Sequence, residues 1–317
     1  MEAGLIVGYA FCDNFVSLLI LTTLVAFFNS APFSFIEGYV VPLAKQNKTS
    51  YSFIRMFGTI GYIVALLLGS LLLNFISIRD CLFISCSLFA LSSVASFFLL
   101  EHEEQQFENA GDVDAFSPPL LSKSFIFYVL FAFFFLGAFN AMGYILPLRL
   151  TALEMSDSAY SLSRGVGICG ELVCLLLIPL FAKHLQTFKI PLIISASLIL
   201  LSSSVGIFLD NPFALGYSSF ILSGSGKAFR FAFEPLFLIL IVGDKNLPKA
   251  LVILSGAANL TSALLNLFSD FLYVSWGFAG YFVFITVLQT IGFLFLLLAK
   301  EKEVPVRPNA IPSGDKE

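Results

Sequence analysis

Charge is scarce in this chain: Asp, Glu, Lys and Arg make up 12 % of its 317 residues, where a soluble domain carries about 25 %. Histidine is scarcer still, with only His102 and His184, and there is a single tryptophan. The five cysteines (Cys12, Cys81, Cys86, Cys169 and Cys174) show no C-x-x-C spacing and sit in apolar runs far from either histidine. A metal site therefore lacks its ligands and a disulfide framework lacks its pattern. With 17 Lys and Arg and a net charge of −4, the chain is no nucleic-acid binder. Both histidines lie outside the apolar segments, so no Ser-His-Asp or Cys-His set can form. The expectation is no enzyme, no metal and no cofactor. What is present instead is hydrocarbon: 58 % apolar residues, 38 of them Phe, at a mean hydropathy of +0.93. That composition belongs to an integral membrane protein.

A helix needs roughly 20 apolar residues to cross about 30 Å of hydrocarbon. Such runs occupy about 15–43, 50–74, 79–100, 123–148, 157–182, 188–209, 213–242, 249–274 and 277–299. Between them stand polar or turn-forming stretches, among them Lys45–Ser50, Ser77–Asp80, Asp210–Pro212 and Gly243–Pro248. Residues 1–12 are too short to span, so the expectation is nine transmembrane helices and a stub. The start Met-Glu-Ala-Gly has no basic n-region and no A-x-A site follows, so no cleavable signal is read. Lys and Arg fall eleven to three in favour of the side that holds the C-terminus, which makes that side cytoplasmic. Nine crossings then leave the N-terminus outside, the first sign that helices are missing upstream. Residues 101–122 are acidic and carry Ser117-Pro-Pro119, as an exposed linker does. The chain therefore divides into a partial N-terminal bundle (1–100), an acidic cytoplasmic linker (101–122), a six-helix C-terminal bundle (123–300) and a cytoplasmic tail (301–317).

Ionisable groups inside a membrane cost about 2.5–3.5 kcal/mol each on insertion scales, so each is a candidate for function. Glu37, Arg55, Glu171, Lys227, Arg230 and Glu234 qualify. Glu37 and Arg55 lie at similar depth on adjacent antiparallel helices and can pair, either as part of a site or only to fasten two helices. Lys227, Arg230 and Glu234 are spaced i, i+3, i+7 and share one helix face, with Arg230 and Glu234 also an i, i+4 pair. That stripe faces protein or water, and either touches substrate or balances charges on neighbouring helices. Glu171 has no basic neighbour in its own sequence and is a candidate proton carrier or ligand acceptor. Asp270, near a helix end, reads as a solvated terminus.

Three strings match motifs without their context. Gly165-x-Gly-x-x-Gly170 lacks the strand a dinucleotide fingerprint requires. Ser223-Gly-Ser-Gly-Lys227 has Ile221 in place of the first phosphate-loop glycine and Ala228 in place of Ser/Thr. Both read better as small residues that let helices approach closely. Asn47-Lys-Thr49 is a glycosylation string on the cytoplasmic side, where it is silent.

Six helices, a cytoplasmic linker and six helices is the plan of the major facilitator superfamily, and this chain resembles it with three helices lost from the first half. Tyr51-Ser-Phe-Ile-Arg-Met-Phe-Gly-Thr-Ile-Gly-Tyr62 resembles the start of the fifth helix in the lactose permease-like branch, the oligosaccharide:proton symporters. Ala31-Pro-Phe-Ser-Phe-Ile-Glu37 is similar to its fourth helix, Gly170-Glu-Leu172 to the eighth-helix acid, and Phe233-Glu-Pro-Leu-Phe237 to the tenth-helix acid. Trp276-Gly-Phe-Ala-Gly-Tyr281 resembles the loop before the twelfth helix.

The resemblance implies a substrate site of Glu37, Arg55, Tyr62 and Glu171, with Tyr62 stacking on a sugar ring. It also implies that Glu234 is the proton-coupling carboxylate, with Arg230 and Lys227 beside it. The departures are specific: Phe231 stands where the family has a His, Ser202–Ser204 where it has a ninth-helix Arg, Asn140 and Gly143 where it has paired acids, and Ala258 where it has their Lys. Arg230 is a candidate replacement for the missing Arg as partner of Glu234. The implied function is sugar:proton symport by alternating access in the cell membrane, recorded as an N-terminally truncated chain. Its partners are a small solute, a proton and the lipid bilayer; it is a monomer if complete and joined by a partner chain if truncated. Two alternatives stand beside this: a non-transporting remnant or accessory membrane subunit, and a nucleoside or aromatic-acid permease of the same superfamily.

Overall fold

A computed structural model describes residues 2–12, 51–72, 75–100, 121–182 and 187–301, with isolated positions between 14 and 49. Among these residues helix is the only regular structure. The elements are α1 (Glu2–Gly8, continued by a 3-10 turn at Tyr9–Phe11), α2 (Tyr51–Leu72), α3 (Ile78–Leu100), α4 (Lys123–Ala152), α5 (Asp157–Ala182), α6 (Lys189–Phe208), α7 (Pro212–Val242) and α8 (Leu247–Leu298). Lys123–Ala152, Ala159–Leu180, Lys189–Phe208 and Asp244–Leu298 are each long and apolar enough to cross a membrane.

Local chemistry sets the helix ends. The Ser122 hydroxyl oxygen accepts from the Phe125 N–H at 3.2 Å to start α4. Asn211 does the same for α7 through the Ala214 N–H at 3.0 Å, with Pro212 in the first turn, where its missing N–H costs nothing. Gly243, at φ 80°, closes α7. The 52 residues of α8 would extend about 78 Å as one rod, more than twice the hydrocarbon thickness. Gly277, at φ 70° and ψ 175°, breaks the rod into two membrane-length halves, a conformation that favours glycine. The break falls in the Trp276–Tyr281 stretch read as a loop.

The chain forms two compact units, residues 1–34 with 62–116, and residues 35–61 with 117–317. In the first, α1 packs on α3, Phe11 meets Phe83 edge-on at 6.3 Å, and the Arg79 guanidinium lies 4.9 Å over the Phe11 ring. In the second, α7 packs against α5 and α6, while α8 packs against α4 and α6. Its core is mostly aliphatic but includes the fully buried rings of Phe125, Tyr128, Phe135, Phe237 and Phe282.

Backbone closeness and hydroxyl bonds hold this unit together. A side chain at Gly224 would strike the Gly167 carbonyl, and one at Gly167 would lie 2.6 Å from the Phe220 carbonyl. The two glycine strings thus meet across α5 and α7 as small-residue packing. Between α6 and α7, Ser195 donates to the Gly226 carbonyl at 2.7 Å, and Ser202 and Ser219 exchange bonds with one another's carbonyls at 3.0 and 3.3 Å. Where the resembled family has its ninth-helix Arg, this chain uses serines to tie two helices. Outside the apolar region, buried Arg149 donates to Asp210 at 3.0 Å and to the Leu209 carbonyl at 3.1 Å. Cys12, Cys81, Cys169 and Cys174 carry no disulfide.

Candidate functional site

The polar stripe on α7 lies in the interior of the second unit. Glu234 is 8 % exposed, and its Oε1 accepts a hydrogen bond from the Tyr128 hydroxyl at 2.9 Å. Tyr128 is wholly buried on α4, its ring 5.2 Å from that of Phe131 and 5.1 Å from that of Phe237. The other carboxylate oxygen lies 3.4 Å from Arg230 Nε. That is an ion pair without the alignment of a hydrogen bond, since Arg230 Nε makes none. Pro235 follows directly, and its missing N–H deprives the Phe231 carbonyl of its helical partner. The helix ladder is therefore open at the turn that carries the acid.

Phe231 gathers two cations. The Arg55 guanidinium carbon lies 4.2 Å from its ring centroid and that of Arg230 4.9 Å, both within cation–π range. Arg55 comes from α2, and four residues further along the same helix face Thr59 donates its hydroxyl to Glu171 Oε1 at 3.0 Å. Glu171 is half-buried on α5, close to α7 because Gly167 and Gly224 let the two backbones touch. Lys227 Nζ lies 5.2 Å over the Phe139 ring. All of these contacts fall within the second unit.

Five of the seven residues singled out in the sequence thus converge: Arg55, Glu171, Lys227, Arg230 and Glu234. Tyr62 is 45 % exposed and falls in the first unit. Glu37 lies outside the described residues. Sequence reasoning missed Tyr128, Thr59 and the two rings, Phe139 and Phe231, that hold the cations. Thr59 had a signal, since it lies one turn from Arg55. Tyr128 had only the general expectation that a buried phenol needs a partner. Among the described residues no group of His, Cys, Asp and Glu could hold a metal ion.

The arrangement separates two carboxylates by environment. Glu234 is enclosed, with a phenol on one oxygen and a guanidinium on the other. Glu171 is less enclosed, takes a hydroxyl donor and interacts electrostatically with Lys227. The description "MFS_1 like family" belongs to a family model that matches residues 4–225. The chain belongs to the major facilitator superfamily. Its helices are those of a multi-pass membrane protein, and membership of the superfamily supports a transporter of small-molecule solutes. The match includes Arg55, Thr59 and Glu171 and ends two residues before Lys227. No curated protein matches the chain.

Proposed function

We propose that this superfamily transporter is a saccharide:proton symporter of the cell membrane, with its C-terminus cytoplasmic, working as a monomer by alternating access. The observation that carries the reading is the contrast between the two interior carboxylates. Glu234, buried against Tyr128 and Arg230, is suited to hold and release a proton away from solvent. Glu171, reached by Thr59 and interacting electrostatically with Lys227, is suited to accept solute hydroxyls. A guanidinium fork adds direction as well as charge to that recognition. The family resemblance extends the solute site to Glu37 and Tyr62, and assigns the chain two helix bundles, 1–100 and 123–300, joined by the linker 101–122.

In the proposed cycle, a proton on Glu234 removes the charge that Arg230 neutralises, and the freed guanidinium repacks as the solute enters. The open helix ladder before Pro235 gives α7 a place to bend at that step. The test is uptake by proteoliposomes holding the 317-residue chain, with and without an inward proton gradient. Uphill accumulation of a disaccharide should require the gradient. Glu234→Gln should abolish accumulation while leaving exchange of internal for external solute intact. Loss of both in a folded variant would place Glu234 in solute binding instead. Absence of any uptake by the wild type would favour the accessory-subunit reading.

A further inference from the structure

Lys227 stands apart from the other charged groups of the site. Arg230 has Glu234 at 3.4 Å, and Glu171 has the Thr59 hydroxyl at 3.0 Å. Among the described residues Lys227 Nζ has no hydrogen-bond acceptor and no carboxylate within ion-pairing distance; its one close contact is the Phe139 ring at 5.2 Å. The charged groups that face it are Glu171 on α5, Arg230 on its own helix and Arg164 on α5, two cations against one carboxylate. An ammonium on the interior face of a membrane bundle has three donors to satisfy. Among the described residues they meet neither a hydrogen-bonded protein oxygen nor an ion-paired carboxylate.

We propose that Lys227 is the seat of a carboxylate on the transported solute, so that the substrate is an acidic saccharide rather than a neutral one. The proposal rests on the saccharide reading above for the body of the solute, but not for its charge. Charge matching selects a carboxylate over a phosphate. One ammonium without a partner suits a monoanion, and a phosphate dianion would call on guanidinium forks already engaged. A hydroxyl in the same place would give Lys227 only a neutral acceptor, whereas a carboxylate adds the attraction of opposite charges. Phe139 fixes the ammonium without supplying a countercharge, which leaves its donors for the ligand.

The experiment compares three ligands on the purified 317-residue chain in lipid nanodiscs by calorimetry. They are 4-nitrophenyl β-glucuronide, 4-nitrophenyl β-glucoside, which differs only in lacking the carboxylate, and 4-nitrobenzoate, which has the carboxylate without the sugar. The wild type should bind the glucuronide at least about tenfold more tightly than the glucoside. Lys227→Gln should erase that preference, and Lys227→Arg should keep part of it. Equal binding of glucuronide and glucoside by the wild type would overturn the carboxylate seat and leave the saccharide reading standing. Binding of 4-nitrobenzoate alone, abolished in Lys227→Gln, would uphold the seat and overturn the saccharide reading. A preference for the glucuronide that survives Lys227→Gln would move the seat to another cation and overturn the proposal. The wild-type comparison decides the matter even if a variant fails to fold.

Discussion

A carboxylate in the interior of a membrane bundle is expensive as a bare charge, by about 2.5–3.5 kcal/mol on insertion scales. Glu234 meets that cost with a phenol on one oxygen and a guanidinium near the other. The coupling between Tyr128 and Glu234 is measurable by a double-mutant cycle of Tyr128→Phe and Glu234→Gln in detergent unfolding. Each single change should destabilise by about 1–3 kcal/mol, and the double change by less than their sum, with an interaction of about 1 kcal/mol or more. Additive effects would show that the 2.9 Å contact carries no energy. At this scale the sequence was half legible. The i, i+3, i+7 spacing put Lys227, Arg230 and Glu234 on one face, and the i, i+4 pair closed as its spacing requires. Tyr128 was not legible, because 106 residues separate it from Glu234 and no local period encodes a contact between distant helices.

Between elements, α5 and α7 approach until backbone touches backbone, and this contact brings Glu171 toward Lys227. Gly224→Val should therefore lower the unfolding free energy by at least about 1–3 kcal/mol through overpacking, because its side chain would strike the Gly167 carbonyl. Gly165→Ala, whose added carbon meets nothing within 4 Å, is the internal control and should be near neutral. Equal effects on thermal unfolding would mean that the glycines act through helix propensity alone. A second seam lies at the membrane-side end of α6, where Lys189 donates to the Leu297 carbonyl at 2.7 Å. Burial pushes the nearby Glu301 carboxyl above its ordinary value of 4.5, against the pull of Lys189. The folded chain thus holds the proton more tightly than the unfolded one. The stabilisation is complete below 4.5 and is lost as pH rises through the higher folded value. Thermal stability should accordingly fall between mildly acidic and neutral pH, and Glu301→Gln should flatten that slope. An unchanged slope in the variant would assign it to another group.

Helix positions were the most legible part of the fold. Apolar length fixes where a span can lie, and Ser122, Asn211 with Pro212, Gly243 and Gly277 mark ends or breaks by chemistry visible in the chain. The π-helical turn at Ala132–Leu136 inside α4 was not legible, because nothing in Ala-Phe-Phe-Phe-Leu distinguishes an extra residue per turn. It arises where α4 packs against α8, with the Phe135 backbone 2.6 Å from where a side chain at Gly292 would stand.

For the whole molecule, superfamily membership explains why interior charges persist in a chain with so few. A carrier must present polar groups to its solute while showing hydrocarbon to the lipid, and this chain concentrates them on α2, α5 and α7 of one unit. Arg55 and Glu171 fall inside the family match, while Lys227, Arg230 and Glu234 lie beyond its end at residue 225. The proposed coupling role of Glu234 therefore rests on its own geometry and on the resemblance of Phe233–Phe237. The proposed symport requires that solute movement carry a proton. It is tested most directly by adding a saccharide to weakly buffered proteoliposomes of this chain and following external pH with no imposed gradient. The account predicts that the medium turns alkaline as solute and proton enter together, and that Glu234→Gln removes the pH change. Solute entry at wild-type rate with external pH unmoved would contradict it.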